Sequence, residues 1–285
     1  MQTIADEETI EKLFGKSKHE LISLVNRHTL TVQAWLSSRS PQAATFLGKG
    51  VRASSTGINV RLLNLALGCN FPAGTSVPEI DDEIKAVKDF FARRNVRWFW
   101  WMSTFSSMED VRGVMGRHGL VRDEPPLPAM AASLKLEKAS FPEYPKNIHV
   151  WQAKTIKDLQ AASLIRRAAF KFREGQALTY FEDMAADWLE NDSVKLLLAG
   201  EKESEPVSIG AMIFAEGIPG VYVMATLPQH HRKGYGKAIL TGLMSEAAAQ
   251  GHELIVLTAS QAGFGLYSQF GFHHIFGFDL YKLPV

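Results

Sequence analysis

The sequence lacks several features that define common classes of protein. Its single cysteine, Cys69, excludes an intrachain disulfide and a metal site built from several thiolates. Its 31 basic and 30 acidic residues give a net charge of +1, which provides no general attraction to nucleic acid or to anionic membranes. The apolar run at residues 96–102 is far too short to cross a bilayer, and the polar residues 1–14 do not resemble a signal peptide. We therefore expect a cytoplasmic protein that binds neither nucleic acid nor membrane.

The composition is that of a folded protein with more than one domain. Hydrophobic residues make up 46% of the chain and charged residues 21%, and 285 residues are too many for one small domain. Cys69 follows an apolar run and is expected in a core.

In the first half of the chain, residues 5–47 are predicted to be helical, with a new short segment from Pro41. Both strands and helices are predicted after residue 59. A buried strand is expected at 60–67, a helix from Pro78, a helix at 106–119 and a strand at 129–136. The aromatic run at 96–102 could be a platform for stacking bases or a strand covered on both faces, and the absence of a basic patch favours the strand.

Residues 137–147 contain two prolines and several charges without periodicity, which is typical of a linker. We therefore predict a first domain at 1–136 and a second at 148–285. In the second, strands are expected at 148–153, 195–200, 207–216, 221–227, 254–258 and 272–282, with helices from Thr155 and at 236–250 and 262–270. The fold class is thus mixed α/β.

The two halves also show a weak internal similarity. The predicted strand, helix and strand of the first half, ending after Gly119, repeat the order of the last three elements, in which Gly271 takes the same place. This indicates a duplicated fold in which the first copy has no glycine-rich turn and has lost cofactor binding.

The segment from Val221 to Leu240 contains the strongest functional signal. A strand ends at Pro228, a short basic turn contains Gly234 and Gly236, and an amphipathic helix follows at once. The first N–H groups of a helix lack internal partners, the helix dipole favours negative charge there, and glycine allows close backbone approach. Such a turn predicts a site for an anion such as pyrophosphate.

Two other phosphate-binding motifs do not fit this turn. A dinucleotide fold needs a third glycine where Ile239 stands, and a triphosphate loop needs serine or threonine where Ala238 stands. A glycine-rich turn without a ligand remains the plain alternative.

The order of elements in this segment resembles the acetyl-CoA motif of the GNAT superfamily of N-acyltransferases. That motif has a strand, a proline, basic residues, Gly-x-Gly and then a helix. The family usually has arginine or glutamine at the first position of the motif, where this chain has His231. A second element, from Ala259 to Phe272 with Tyr267 and Gly271, resembles the family's strand end, short helix and Gly-Phe. The resemblance covers residues 148–285, and the arrangement is similar to bacterial two-part members, with a diverged GNAT-like half preceded here by a helical segment.

The resemblance implies roles for individual residues. Ala225, Thr226 and Leu227 would pair with the pantetheine arm where their strand separates from its neighbour. Tyr267 matches the general acid that protonates the departing thiolate, since a phenol with a pKa of about 10 keeps its proton at neutral pH. Backbone N–H groups of the turn would hold the pyrophosphate, and the residues of that turn are His231, Arg232, Lys233, Gly234, Tyr235, Gly236 and Lys237.

The sequence leaves the general base and the acceptor open. Glu216 is one candidate base, and His230 and His231 are others. The acceptor wall would come from the first helices of the second domain, with Phe170, Phe172, Arg173, Tyr180 and Phe181.

We expect an acetyl-CoA-dependent N-acetyltransferase that acts on a small-molecule or peptide amine without a metal. The alternative is a non-catalytic acyl-CoA sensor, in which the cofactor stabilises the fold. The sequence does not predict the oligomeric state.

Overall fold

The computed structural model describes residues 3–105, 109–135, 141–173 and 179–284. As predicted, the fold is mixed α/β. The helices are α1 (Glu7–Phe14), α2 (Lys18–Ser37), α3 (Val77–Arg93), α4 (Glu109–Arg117), α5 (Ile156–Ala169), α6 (Ala185–Leu189), α7 (Tyr235–Ala249) and α8 (Gln261–Gln269). The strands are β1 (Ala44–Leu47), β2 (Arg52–Ser55), β3 (Asn64–Leu67), β4 (Phe99–Ser103), β5 (Val121–Ser133), β6 (His149–Gln152), β7 (Val194–Gly200), β8 (Ser208–Ala215), β9 (Ile218–Thr226), β10 (Leu254–Thr258) and β11 (His273–Lys282).

Local sequence signals set most helix ends. The Asp6 carboxylate accepts from the Thr9 N–H at 2.9 Å at the start of α1, and Gly15 ends that helix with a φ of 61°. The predicted capping box opens α5, where Asp158 accepts from the N–H and the hydroxyl of Thr155.

The described residues form two compact units. The first consists of residues 1–29 and 128–275, and the second of residues 30–127 and 276–285. The division falls within two strands, β5 and β11, so each unit contains a strand segment from a distant part of the chain.

The first unit contains six neighbouring strand segments in the order β5, β10, β9, β8, β7, β6. β9 and β10 are parallel, joined by α7, and the other neighbours are antiparallel. The buried face of α7, with Ile239, Leu240 and Leu243, packs on this sheet. Full burial of each such side chain stabilises a fold by about 1.5–3 kcal/mol, so α7 is held firmly along its length.

The second unit contains the strand order β1, β2, β3, β4, β11. β3 and β4 are parallel and joined by α3, and the remaining neighbours are antiparallel. Trp98, Trp100 and Trp101 are all buried, and Trp98 and Trp100 share a core cluster with Cys69. The prediction of a covered strand, rather than a base-stacking platform, is therefore confirmed, as is the core position of the cysteine.

The boundaries of the two compact units differ from the predicted domain limits of 1–136 and 148–285. The strand beside β10 is β5, which precedes the predicted limit, and the strand beside β4 is β11, at the end of the chain. The order of elements along the sequence does not reveal which strand completes a sheet. The linker at 137–147 stays a prediction: residues 137–140 lie outside the described part, and Phe141 and Tyr144 pack on the core that contains α7.

Several predicted elements need correction. Residues 44–47, predicted to be part of a helical region, are strand β1, and β2 was not predicted. Both strands are four residues long, which is too short for periodicity to identify. The predicted strand at 60–67 begins as a 3₁₀ turn, Arg61–Leu63, and β5 starts well before the predicted residue 129. The predicted helix start at Ser106 and Ser107 lies outside the described residues.

The internal similarity is visible in the elements themselves. β4, α4 and β5 repeat the order of β10, α8 and β11. Gly119 and Gly271, which stand before the last strand of each set, have φ values of 75° and 77°. Among the described residues, no helix is long and apolar enough to cross a membrane.

Candidate active site

The predicted site residues after β9 lie where the parallel strands β9 and β10 end. The two strands pair at Gly220 with Val256 and at Val221 with Leu257, after which β9 continues to Thr226. Val223 has a φ of 54°, and the register between β8 and β9 shifts beside it, which marks a bulge. Both of these pairs of β9 with β10 precede this bulge, and a bulge bends the strand that contains it. The carboxyl ends of parallel strands are a common position for ligand sites.

Of the three residues predicted to pair with pantetheine, the structure favours Thr226. The Leu227 N–H already donates to the Val207 carbonyl at 2.9 Å, on the β8 side. Because backbone groups alternate in direction along a strand, the Thr226 N–H points to the opposite, β10 side. The Ala225 carbonyl accepts from the Ser208 hydroxyl at 3.0 Å, so Ala225 and Leu227 both serve the pairing with β8.

The turn between β9 and α7 contains two residues with left-handed backbone. Arg232 has a φ of 62° and Gly234 a φ of 95°, and alternation of left-handed residues with right-handed ones forms an anion-binding nest. The first helical hydrogen bond of α7 runs from the Ala238 N–H to the Gly234 carbonyl at 3.0 Å. The N–H groups of Tyr235, Gly236 and Lys237 therefore precede the helical ladder and have no acceptor within it.

Three cationic residues lie in the turn and in the first turn of α7. Arg232 and Lys233 are exposed and Lys237 is half-buried. None of the three forms an ion pair within the described part of the chain. Their charge is therefore available to an anion at the helix start, where the helix dipole acts in the same sense.

Position 234 requires glycine for two reasons, the close packing around it and its left-handed φ. A Cβ at this position would lie 2.5 Å from the Cδ of Pro145, and one at Gly236 would lie 3.3 Å from a methyl of Leu266. A left-handed conformation is costly for other residues. A larger side chain at Gly234 would therefore disturb the fold around Pro145 as well as the approach of a phosphate.

His231 and Tyr235 hold the turn in place. His231 Nε2 donates to the Thr226 carbonyl at 2.9 Å, since a carbonyl only accepts, and so ties the turn to the strand end. The Tyr235 ring is buried and meets the edge of the His230 ring. Burial first, and then Glu201, raise the pKa of the Tyr235 phenol. The histidine at the first motif position thus has a structural role in this chain.

Tyr267 lies on α8, which starts after the carboxyl end of β10. The neighbouring Leu266 reaches Gly236 at the start of α7, so the structure places α8 beside the turn. Tyr267 is 8% exposed and packs edge-on against Phe272. Burial raises the pKa of the Tyr267 phenol to about 12, which keeps it protonated at neutral pH as a general acid requires.

Glu216 is not brought together with Tyr267. It lies in the tight turn between β8 and β9 with a φ of 52°, and its carboxylate accepts from Arg27 Nε at 3.3 Å. The nine residues of β9 separate this turn from the phosphate turn, a length of about 30 Å at about 3.3 Å per residue. This position argues against a role for Glu216 in proton abstraction.

The predicted acceptor wall contains one residue that sequence reasoning missed. Tyr180 and Phe181 are fully buried, Phe170 is exposed, and Phe170 and Phe172 stack at 5.8 Å. Arg166 lies among these rings, with its guanidinium 4.1 Å from the Tyr180 ring centroid. Leu159, Ala162 and Ile165 mark the buried stripe of α5, and the helical spacing of Arg166 in that stripe was the available signal.

The residues at the turn fit a pyrophosphate group and do not form a metal site. Unpaired helix N–H groups, a nest and three cations match a dianion. Among the residues that the structure describes, no group of three or more histidine, cysteine, aspartate or glutamate side chains could hold a metal ion.

A family model agrees with this location. Residues 216–275 match the model of an acetyltransferase (GNAT) domain. The match begins at the turn before β9 and ends within β11, so it contains the turn and Tyr267. A search of the curated proteins finds no match.

Solved structures show the same fold over nearly the whole chain. A GCN5-related N-acetyltransferase from Kribbella flavida is 17% identical with a TM-score of 0.67, over 92% of this chain and 96% of that one. One from Sphaerobacter thermophilus is 16% identical with a TM-score of 0.62, over 84% and 82%. A tandem GNAT protein from the clavulanic acid biosynthesis pathway is 10% identical with a TM-score of 0.57, over 94% and 95%. At these identities the likeness shows the fold.

Proposed function

Because the chain is a two-part protein of the GNAT fold with a GNAT acetyltransferase domain in its second half, we propose that it transfers an acetyl group from acetyl-CoA to an amine. The observation that carries the proposal is the start of α7. Free N–H groups of three residues, a left-handed glycine and three cations without an ion pair in the described part of the chain meet there, beside the strand end at Thr226.

Acetyl-CoA would supply the activated thioester. We propose that the α7 turn holds its pyrophosphate and that the backbone of Thr226 pairs with its pantetheine arm. The N–H groups of Tyr235, Gly236 and Lys237 then gain acceptors that the helix itself does not provide, which favours binding over the unpaired state.

Tyr267 is proposed as the proton donor. The acceptor nitrogen forms a C–N bond as the C–S bond breaks, the amine loses one proton, and the sulfur gains one. Burial raises the pKa of this phenol to about 12, so it is protonated at neutral pH and can donate to the sulfur as negative charge develops there.

Release of free CoA tests the function directly. Acetyl-CoA is mixed with the protein and a panel of amines, and the product of any active pair is identified by mass spectrometry. We expect CoA release that depends on the amine, and a higher melting temperature with acetyl-CoA than with NADH or ATP at the same concentration. Equal shifts with all three ligands would count against the cofactor assignment.

A non-catalytic acyl-CoA sensor is the second candidate, and the position of Glu216 far from the turn favours it. A sensor would show the same melting shift with acetyl-CoA but no CoA release with any amine. The two measurements together therefore separate the candidates.

A further inference from the structure

Arg166 is an unusual residue for the interior of a helix face. It is 8% exposed, although arginine is almost never fully buried unless it is paired. Its guanidinium lies 4.1 Å from the Tyr180 ring centroid, and within 6.0 Å of the Phe172 and Phe181 centroids. Aromatic faces attract a cation but do not accept its N–H groups in the way that a carboxylate does.

The described residues provide no acid for this cation. Arg166 Nε and Nη1 have no hydrogen-bond partner in the described part of the chain. Glu182, on the segment after Tyr180, accepts instead from the Ser163 hydroxyl. Burial lowers the pKa of the guanidinium, and a hydrogen bond with Tyr180 opposes that change. An arginine keeps its charge in proteins, so this arrangement has a buried cation that lacks an anion.

Strand directions place Arg166 toward the end of the sheet where the phosphate turn lies. Each neighbouring pair from β6 to β9 is antiparallel, so β6 and β9 run in opposite directions. The carboxyl end of β6 therefore lies at the opposite end of the strands from the carboxyl end of β9. α5 starts just after β6, packs on β8 and β9, and has 14 residues, a length of about 21 Å at 1.5 Å per residue. Its last turn, with Arg166, therefore lies toward the carboxyl end of β9.

We propose that Arg166 binds a carboxylate of the acyl acceptor, so that the acceptor is an amine that also carries a carboxylate. This inference rests on the proposed function, because it assigns the acceptor of the same site. A carboxylate would supply the charge and the acceptors that the guanidinium lacks, and arginine pairs with carboxylates through strong charge-assisted hydrogen bonds.

The surroundings also specify the rest of the acceptor. Phe170, four residues after Arg166 at the end of α5, is exposed and apolar, and Phe172, beside the guanidinium, is partly exposed. Such a surface favours an acceptor with an apolar body. The structure thus indicates an amino acid with an apolar or aromatic side chain.

Matched acceptor pairs test this assignment in the wild-type protein. Phenylalanine is compared with phenethylamine, and leucine with 3-methylbutylamine, since each pair differs only by the carboxylate. We expect kcat/KM to be higher for the amino acid by about 30-fold or more, the range for a buried hydrogen-bonded charge pair. Equal or faster turnover of the decarboxylated amines would overturn the inference and leave the proposed function intact. No CoA release with any amine would instead contradict the proposed function.

Arg166→Met separates this role from a structural one. Methionine fills the space without a charge, and replacing an uncompensated buried charge with an apolar group is often neutral or stabilising. We expect the melting temperature to be kept and the preference for phenylalanine over phenethylamine to fall to about threefold or less. Arg167→Met, on the neighbouring residue, should keep the preference. A preference unchanged in Arg166→Met would contradict the proposal.

A second variant keeps the proposal testable if Arg166→Met does not fold. Glu174, the acid nearest in sequence outside the described residues, is changed to glutamine. The wild-type preference for phenylalanine should persist in Glu174→Gln, with an unchanged melting temperature. If Glu174→Gln destabilises the protein and abolishes the preference, the partner of Arg166 is internal, and the proposal is overturned.

Discussion

The starts of α3 and α7 occupy the same topological place and differ in chemistry. Each helix joins two parallel strands, β3 to β4 and β9 to β10. At the third helical position α3 has Glu79 and α7 has Lys237. Helices in equivalent places of the two halves thus begin with opposite charges.

The α3 start is closed by its own residues. The Glu79 carboxylate accepts from the N–H and the hydroxyl of Ser76 at 2.9 and 2.8 Å, and it pairs with Lys49 at 3.0 Å. Pro78 has no N–H, which removes one of the free donors of the first turn. An internal acid therefore occupies the place that an external anion would need.

The α7 start has none of these features. Gly234 has no side chain to cap the helix, and the first turn contains no acid. This difference explains why the first half is not expected to bind a cofactor although it has the same order of elements. Under the proposed function, the ability to bind a cofactor therefore depends on the residues that begin the helix rather than on the order of elements.

Loss of Gly234 should have the largest effect. Gly234→Ala places a Cβ 2.5 Å from Pro145 in a left-handed conformation. We expect the free energy of unfolding to fall by roughly 2 kcal/mol and acetyl-CoA binding to weaken, measured by urea unfolding and by calorimetry.

Gly251→Ala is the matched control for that substitution. Gly251 has a φ of 81°, and a Cβ added there would meet no atom within 4 Å. This variant should lose less stability and bind acetyl-CoA normally. An equal loss of unfolding free energy in both variants would show that the left-handed φ of Gly234, and not its packing against Pro145, determines the effect.

Tyr267→Phe should reduce turnover without reducing binding. In the proposed reaction the phenol acts on charge that develops as the C–S bond breaks, and such interactions change kcat more than affinity. We expect kcat to fall by about 100-fold and acetyl-CoA affinity to stay within about threefold, measured with a saturating acceptor. Full activity in the variant would exclude Tyr267 as the proton donor.

The smallest effect is expected at α3 and depends on pH. Hydrogen bonds from Ser76, together with Lys49, lower the pKa of Glu79 to about 2. The folded-state pKa is below the unfolded value, so the stabilisation is present above the ordinary glutamate pKa of 4.5 and is lost as the pH falls toward 2. Glu79→Gln should slightly lower the stability at pH 7 but not at about pH 2, by urea unfolding, with acetyl-CoA affinity unchanged. A stability loss that is equal at both pH values would contradict the charged cap.

Much of the site could be predicted because it depends on consecutive residues. The strand end, the turn with Gly234 and Gly236, and the helix follow one another along the chain, and the structure has β9, the turn and α7 in that order. The roles of these residues stay predictions. The buried aromatic strand was predictable because its apolar run is continuous.

Long-range relations could not be read from the sequence. The pairing of β5 with β10 joins residues far apart in the chain, and no local pattern specifies it. The contact of Pro145 with Gly234 arises in the same way, as does the aromatic ring cluster around Arg166. The separation of Glu216 from the phosphate turn likewise depends on strand direction, which puts the β8–β9 turn at the other end of β9.

The central claim is that the open start of α7 binds the pyrophosphate of acetyl-CoA, and Lys237→Glu tests it most directly. This variant gives α7 the charge that α3 has at the same helical position, and an acid in the first turn favours the helix itself. Calorimetry should show that acetyl-CoA affinity falls by at least about tenfold, or about 1.4 kcal/mol, while the melting temperature of the free protein is kept or raised. Unchanged affinity in Lys237→Glu would contradict the claim and place the pyrophosphate elsewhere.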